Sequence, residues 1–405
     1  MDTGDTAWVL ISTALVLFMT PGLALFYGGM VRAKNVLGML MQNFFAMGLM
    51  AVLWTVVGFS LAFGGTGDWI GNFDFFGLKD VVGVSGTIPF ILFCAFQMTF
   101  AIITPALITG ATADRLKFGS FAVFIGAWLL LVYAPVAKWV FGGGFLADMG
   151  ALDFAGGAVV HMNAGAAALA VVLLIGKRKH YPDQPMPPHS LPLTLLGTGI
   201  LWFGWAGFNA GSALGANEVA AQALMNTFVA ASAAMLGWLL AERIKDGHAT
   251  TLGAASGAVA GLVAITPCAG FVGGMAGVYI GFVAGVVCYL ALGIKKAFNL
   301  DDSLDVIAVH LVGGLVGTVL LGFFADASVN SFIAEVSNEG VFLGGGADLL
   351  VDQVVAAAVT IAYSFAASLV IAKVIDVIMG LRVDDAAEDE GLDLSQHAET
   401  AYTTV

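Results

Sequence analysis

Long runs of apolar residues recur along the whole chain and are separated by short polar segments. Each run supplies the ~20 residues that cross a ~30 Å hydrocarbon core. We expect helices, because lipid offers no partner to open backbone groups and barrel strands would be shorter and alternate in polarity. The pattern predicts an all-α integral membrane protein with eleven spans, at about residues 7–31, 36–63, 88–110, 118–140, 156–176, 191–211, 218–240, 249–267, 271–294, 304–325 and 350–380.

Composition narrows the class of protein further. Of 405 residues, 59% are hydrophobic and 11% are charged, whereas a soluble domain carries about a quarter charged residues. The segment Met1 to Thr6 lacks the Lys or Arg of a secretory signal, so we expect the first span to be retained. The net charge of −13 gives no reason to expect nucleic-acid binding, and the three cysteines lack metal or redox spacing. We expect neither an enzyme nor a cofactor or metal site.

The basic residues predict the orientation of the chain. Twelve of the fifteen Lys and Arg residues follow odd-numbered spans, and only Lys79 and Lys138 lie at the other side. The remaining one, Lys373, lies in the last span near its basic end. Since cytoplasmic loops carry the excess of Lys and Arg, the N-terminus is predicted outside and the C-terminus in the cytoplasm. The twelve are Arg32, Lys34, Arg115, Lys117, Lys177, Arg178, Lys179, Arg243, Lys245, Lys295, Lys296 and Arg382.

The membrane domain, residues 1–380, divides at a proline-rich segment, residues 177–192, with five spans before it and six after. Asp153 lies eight residues before His161, and Asp302 lies eight residues before His310. We predict two five-helix repeats, about 7–176 and 191–325, that are inverted because five is odd, with a shared site near the bilayer midplane. Helix eleven, about 350–380, is extra. The acidic tail, residues 381–405, is predicted to be cytoplasmic and regulatory, either disordered or docked on the basic loops.

Of the six histidines, only His161 and His310 lie inside apolar spans. A single buried histidine is as readily explained by a structural hydrogen bond as by function, but matching positions in two repeats favour a shared site. Burial favours uncharged rings, each with one hydrogen-bond donor and one acceptor, that share a proton as a unit. The spans hold no carboxylate at mid-depth, and a bare cation would cost tens of kcal/mol there. The pattern indicates a pathway for a neutral or neutralised solute.

Six segments resemble bacterial Amt ammonium transporters of the Amt/Mep/Rh family, in order and along essentially the whole chain. They are PGLALFYGGMVRAKN (21–35), FQMTF (96–100), DFAGGAVVHMNAG (153–165), WFGWAGFNAGSA (202–213), DDSLDVIAVHLVGG (301–314) and GLRVDDAAEDEGLD (380–393). The resemblance implies that His161 and His310 are the twin histidines of a pore lined by Trp205. It also implies that Phe100 and Phe208 form a gate above them, and that Ser212 and Asp153 belong to an outer recruitment site.

Two of these residues need a separate comment. Asp153 begins span 5, where an N-cap alone contributes about 0.5–2 kcal/mol, so a structural role and a vestibule role both remain open. Bacterial members of the family carry Trp immediately before three glycines of the outer loop, whereas this chain has Phe141 before Gly142–Gly144. Phe is a weaker cation–π partner than Trp, in an interaction of roughly 0.5–2 kcal/mol. We expect a recruitment site that binds ammonium more weakly.

The resemblance implies ammonium transport across the inner (cytoplasmic) membrane. Ammonium is recruited at the outer vestibule and deprotonated, and ammonia passes the apolar pore beside the histidines. It further implies a homotrimer and a cytoplasmic partner of the PII signalling type. Two alternatives remain: an Rh-type channel for ammonia or carbon dioxide, and an ammonium sensor that acts through the tail.

Overall fold

A computed structural model describes residues 1–402, and its regular structure is almost entirely helical. The strands in this range, Val84–Ser85 and Ile88–Pro89, form one short antiparallel hairpin in an outer loop. Within the described range, ten helices are long and apolar enough to cross a membrane: Thr3–Met30, Ala33–Phe63, Phe90–Thr112, Phe118–Asp148, Gly157–Ile175, Leu191–Ala210, Glu218–Asp246, Ala276–Ala297, Ile307–Phe324 and Asp348–Met379. They correspond in order to predicted spans 1–7 and 9–11, which confirms an all-helical, multi-pass architecture.

Predicted span 8 is occupied by a shorter apolar helix, Thr251–Ile265, of 15 residues. Thr250 caps it by accepting a hydrogen bond from the Gly253 amide at 2.9 Å, and buried turns continue the segment from Thr266 to Val272. Because the helix falls short of the ~20 residues that span a bilayer, the eleventh crossing stays a prediction.

Short helices complete the loops and the tail. They are the 3-10 helices Phe76–Leu78 and Val341–Leu343, the α-helix Phe332–Val336, and the tail helices Asp385–Glu390 and Leu392–His397. Three other short helices, Ala33–Asn35, Phe145–Asp148 and Gly293–Ala297, lie at the ends of long helices already named.

Small residues bring the long helices into close contact. A Cβ atom added at Gly281 or Gly285 would lie 2.2 Å from the Ala230 carbonyl oxygen or 2.1 Å from the Ala234 carbonyl oxygen. Ala276–Ala297 therefore packs directly on the backbone of Glu218–Asp246. In a membrane, where lipid is as apolar as the side chains, such close contact is a main source of helix association.

Five π-helical turns occur within or at an end of the long helices of the described range: Trp54–Gly58, Leu129–Tyr133, Gly157–Met162, Ala206–Ala210 and Ile307–Val312. The last three contain His161, Phe208 and His310 respectively. A π-turn widens the helix and re-aims its side chains, and such turns are frequent at functional sites.

Charged loops meet at one end of the helices. Arg178 donates a hydrogen bond to Asp301 at 2.8 Å and lies 3.4 Å from Asp114, which also accepts from Arg32 at 3.0 Å. Burial alone would raise the pKa of Asp301, but the hydrogen bond and charge of Arg178 hold it below its usual value. Arg115 is fully buried and donates to the Asp301 carbonyl at 2.6 Å. The loops after spans 1, 3 and 5 and the loop before span 10 are thus held together.

The described part of the tail docks on this charged end. Asn35 accepts from the Leu392 amide at 2.8 Å, and Asp393 accepts from the Gly38 amide at 2.8 Å. Lys179 pairs with Asp389, and Arg382 pairs with Glu388 at 2.6 Å. Of the two possibilities that the sequence leaves open, the structure shows docking.

Candidate functional site

A cavity of about 460 Å³ opens at the end of the helix bundle opposite the charged loops and tail. Four of the expected site residues, Phe100, Phe141, Asp153 and Ser212, line it. Its wall also includes aromatic side chains that the sequence did not single out: Phe93, Phe96, Phe154, Phe271 and Phe332. We call this cavity the vestibule. An aromatic wall of this kind attracts monovalent organic and ammonium cations through the negative faces of its rings.

Asp153 caps the helix that carries His161. Its two carboxylate oxygens accept four hydrogen bonds, from the amides of Gly156, Gly157, Ala158 and Val159, at 2.6–3.2 Å. These amides open the helix and have no intrahelical acceptor. Burial raises the pKa of the Asp153 carboxyl above its usual value, and the four amides oppose that shift. Asp153 therefore acts as the N-cap of this helix, and the cap uses both of its carboxylate oxygens.

Two phenylalanine rings separate the vestibule from the interior. The rings of Phe100 and Phe208 lie with centroids 4.4 Å apart and planes at 45°, and each side chain is 1% exposed. Phe208 lies in the π-turn Ala206–Ala210, and its carbonyl oxygen accepts a hydrogen bond from the Ser212 hydroxyl at 2.8 Å. The ring of Phe208 therefore lies one helical turn from Ser212 in the vestibule.

A small cavity of about 10 Å³ follows beneath the rings, lined by His161, His310, Trp205 and Phe208. This volume holds about one water molecule. The remaining wall is apolar and consists of Met19, Leu23, Phe26, Ile103, Leu107, Val160, Leu201 and Val259. The ring of His161 stacks with those of Phe208 and Trp205, at centroid distances of 6.0 Å and 5.6 Å. The Trp205 indole donates to the Thr266 hydroxyl at 3.0 Å, which satisfies its only polar atom.

The two histidines form one hydrogen-bonded unit. Nδ1 of His310 lies 3.2 Å from Nδ1 of His161, and the rings are nearly parallel at 19°. Between uncharged rings, one Nδ1 must donate and the other must accept. The ring that donates at Nδ1 then has an acceptor at Nε2, and the other ring has an N–H there. The pair thus has one donor and one acceptor at its outer nitrogens, and the Nε2 atom of His161 has no hydrogen-bond partner within residues 1–402.

The approach to His310 mirrors the approach to His161. Asp302 accepts hydrogen bonds from the amides of Val306 and Ile307, at 3.1 Å and 2.8 Å, at the start of the π-turn that carries His310. Burial and the neighbouring carboxylate of Asp305 raise the pKa of Asp302. Both histidines are therefore held in π-turns, each eight residues after a capping aspartate.

The eight expected residues fall into two connected groups. Four lie on the vestibule wall, four line the small cavity, and the Phe100–Phe208 contact joins them. On the helix Phe90–Thr112, the helical spacing of Phe93, Phe96 and Phe100 would have indicated a common face. Phe271 and Phe332 come from loops and a short helix, and no sequence signal pointed to them.

A family model described as the Ammonium Transporter Family matches residues 7–402. The chain belongs to the ammonium transporter family. An ammonium transporter of Mycobacterium tuberculosis (strain H37Rv) is 50% identical to it over 435 residues, which cover 99% of this chain and 90% of that one. The "Ammonium transporter Amt1" of Archaeoglobus fulgidus is 46% identical, with 100% of both chains covered.

Solved structures of the family share the fold. Mep2 of Candida albicans superimposes with a TM-score of 0.90 at 37% identity, covering 95% of this chain and 87% of that chain. A structure named "Sensor Amt Protein" gives a TM-score of 0.90 at 29% identity, covering 97% and 98%. The family membership predicted from the sequence motifs is confirmed, and the protein is a multi-pass membrane protein of an ammonium transport family.

Proposed function

We propose that the protein transports ammonium across the inner (cytoplasmic) membrane by binding the ammonium ion in the vestibule, removing its proton and passing ammonia beside His161 and His310. The main support for this proposal is the histidine pair. It is buried, hydrogen-bonded at 3.2 Å and set in an apolar cavity directly beneath the two phenylalanine rings. A single polar station in an apolar channel suits a small uncharged N–H solute.

In this mechanism, recruitment takes place on the vestibule wall. The ring of Phe141 attracts the cation, with a contribution of roughly 0.5–2 kcal/mol. The Ser212 hydroxyl donates its own hydrogen to the Phe208 carbonyl, so its oxygen lone pairs accept from the N–H groups of ammonium. Asp153 acts through its cap, since four backbone amides already occupy its oxygens.

The ring pair and the apolar channel then select against charge. An intact cation beneath Phe100 and Phe208 would lose its hydration without gaining a carboxylate, at a cost of tens of kcal/mol by Born estimates. Ammonium therefore gives its proton up at or above the rings. Ammonia passes beside the histidines, which accept from and donate to it in turn, and the proton crosses separately through the pair or a chain of water molecules. Ammonium reforms on the cytoplasmic side.

We further propose that the membrane domain, residues 1–380, crosses the membrane eleven times, with Thr251–Ile265 and the buried turns after it as the eighth crossing. The N-terminus lies outside, and repeats at about 7–176 and 191–325 are related by inversion, followed by helix eleven. The matched arrangement of Asp153 before His161 and Asp302 before His310, at the two ends of one histidine pair, supports the inversion. The basic loops that gather around Arg178 support a common cytoplasmic side.

The assembly and the partner are proposals from family membership. We propose a homotrimer with one pore in each subunit and a PII-type signalling protein that binds the cytoplasmic face, where residues 381–405 form a regulatory tail. The docked tail helices supply a surface that such a partner would rearrange. The likeness to the sensor Amt structure keeps a sensing role as the second candidate function.

Currents recorded on proteoliposomes test the transport mechanism. Potassium resembles ammonium in size and charge but has no proton to lose, so ammonium and methylammonium should give transport and potassium should give none. His161→Asp and His310→Asp each place an acidic oxygen at the station and should admit potassium, whereas the matched control His189→Asp, in a loop, should not. Potassium current through the unmodified protein would contradict the deprotonation step.

The same recordings separate the rival functions. Ammonia equilibration without any current would favour the Rh-type gas channel. Binding of ammonium without flux, accompanied by movement of the tail, would favour the sensor. Strict exclusion of potassium by folded variants of both histidines would move the selective step to the phenylalanine rings.

A further inference from the structure

Five polar side chains line the vestibule, and four of them are engaged by the protein itself. Asp153 accepts four amides, and the Ser212 hydroxyl donates to the Phe208 carbonyl. Asn217 accepts from the Ala220 amide at 2.9 Å as an N-cap. Asn330 uses both ends of its amide, since it donates to the Gly270 carbonyl at 3.1 Å and accepts from the Phe332 amide at 3.1 Å.

Gln97 is the fifth, and its amide is uncommitted. The side-chain amide of Gln97 makes no hydrogen bond within residues 1–402, and the residue is partly exposed. On the helix Phe90–Thr112, Gln97 lies four residues after Phe93 and three before Phe100, which places it on the face that lines the vestibule. The amide atoms of Gln97 are not among the buried polar atoms, so they stay accessible from the vestibule and are free to bond a solute there.

We propose that the side-chain carbonyl oxygen of Gln97 accepts a hydrogen bond from the ammonium ion in the vestibule and makes this site selective for cations that carry N–H groups. The inference rests on the transport function proposed above. Aromatic rings attract any monovalent cation without regard to direction, and quaternary ammonium groups are bound in this way. An amide oxygen adds direction, because only a cation with an N–H can donate to it.

A neutral amide also allows the bound ammonium ion to leave the site and lose its proton. A hydrogen bond to a charged donor is about twice as strong as one between neutral groups, which makes an amide oxygen a useful recruiting group. A carboxylate in the same place would hold the intact cation more tightly and oppose loss of its proton. Gln97 lies next to Phe96 and one turn from Phe100, so an ion bound to it is already above the ring pair.

Transport kinetics in proteoliposomes test the assignment with variants of nearly equal shape. Gln97→Met removes both polar atoms. Gln184→Met is the matched control, because Gln184 is exposed in the loop 177–192, outside the vestibule wall. For Gln97→Met we expect the half-saturation for ammonium to rise roughly three- to tenfold, with the maximal rate within about twofold. This is less than for loss of a buried hydrogen bond to a charged group, because water takes the place of the missing oxygen. Gln184→Met should match the unmodified protein.

Tetramethylammonium, added outside as a competitor, separates hydrogen bonding from shape. It has no N–H, so its inhibition constant should stay the same in Gln97→Met. Gln97→Glu gives a second measurement if the Met variant does not fold: it should lower the half-saturation for ammonium and make potassium a stronger competitor. An unchanged half-saturation in Gln97→Met, or an equal weakening of ammonium and tetramethylammonium, would overturn the role of Gln97. A lack of ammonium flux in the unmodified protein would instead overturn the transport function, and the assignment with it.

Discussion

Replacing Asp153 with Asn tests how the protein uses the carboxylate at the entrance to the His161 helix. Asn is normally as good an N-cap as Asp, because one oxygen is enough. Here both oxygens are used, the first by Gly156 and Gly157 and the second by Ala158 and Val159. The amide of Asn would turn an NH₂ group toward two backbone N–H groups and would weaken the other two bonds by removing the charge.

The magnitude follows from counting those bonds. A hydrogen bond to a charged group contributes about 1.5–3 kcal/mol, and a buried donor left without an acceptor costs about 1–3 kcal/mol. Allowing for partial relaxation, we expect Asp153→Asn to destabilise the protein by about 2–4 kcal/mol. The matched variant is Asp302→Asn, where only two amides are accepted, one on each oxygen. Since Asn keeps one of these two hydrogen bonds, we expect Asp302→Asn to destabilise the protein by about 1–2 kcal/mol.

Thermal unfolding in detergent, followed by tryptophan fluorescence, compares the two variants in one assay. The apparent midpoint should fall further for Asp153→Asn than for Asp302→Asn. Half-saturation of ammonium transport by the protein that remains folded should change little in either. If Asp153→Asn melted like the unmodified protein but needed about tenfold more ammonium, the carboxylate would contact the ion and the capping explanation would be wrong.

Three further predictions concern the vestibule, the tail and the orientation. Phe141→Trp should lower the half-saturation for ammonium by no more than about 30-fold, the equivalent of ~2 kcal/mol, in a concentration series, and an unchanged value would show that this ring does not contact the ion. Truncation after Val383 should leave an assembled protein by size-exclusion chromatography, because Leu381 and Val383 still bond to residues 115–117, but should weaken binding of a PII-type protein in a pull-down. Unchanged affinity would assign that site to the loops alone. Protease added outside sealed right-side-out vesicles should spare residues 384–402, and cleavage there would overturn the predicted sidedness.

The long helices could be predicted from the sequence because the physical requirement behind them is local. A segment in lipid must satisfy its own backbone, so every long apolar run became a helix. The histidine pair could also be predicted, because the equal spacing from Asp153 to His161 and from Asp302 to His310 is visible in the sequence. The role of Phe100 and Phe208 was not, since 30 phenylalanines are available and only the family resemblance selected two.

Other features depend on tertiary packing that no local pattern reports. The π-turns at His161, Phe208 and His310 arise where a helix adapts to its neighbours, and their residues have ordinary helical composition. Phe271 and Phe332 reach the vestibule from outer segments whose path is decided by the whole fold. The tail composition permits disorder, and its docking depends on partners such as Asn35 and Gly38, which lie more than 350 residues away in sequence.

The π-turns also determine which changes of chain length the pore tolerates. A π-turn contains one residue more than an α-turn, so removal of a single residue from Gly157–Met162 or Ile307–Val312 would let the helix close into a regular ladder. The helix beyond the deletion would keep its register, because the regular turn covers the same angle with one residue fewer. Packing farther along, such as that of Gly165 against the Leu311 backbone, would stay in place. The side chains inside the turn would change direction, and the contact between the Nδ1 atoms of His161 and His310 would be lost. Single-residue deletions in these two segments should therefore abolish transport while leaving an assembled protein.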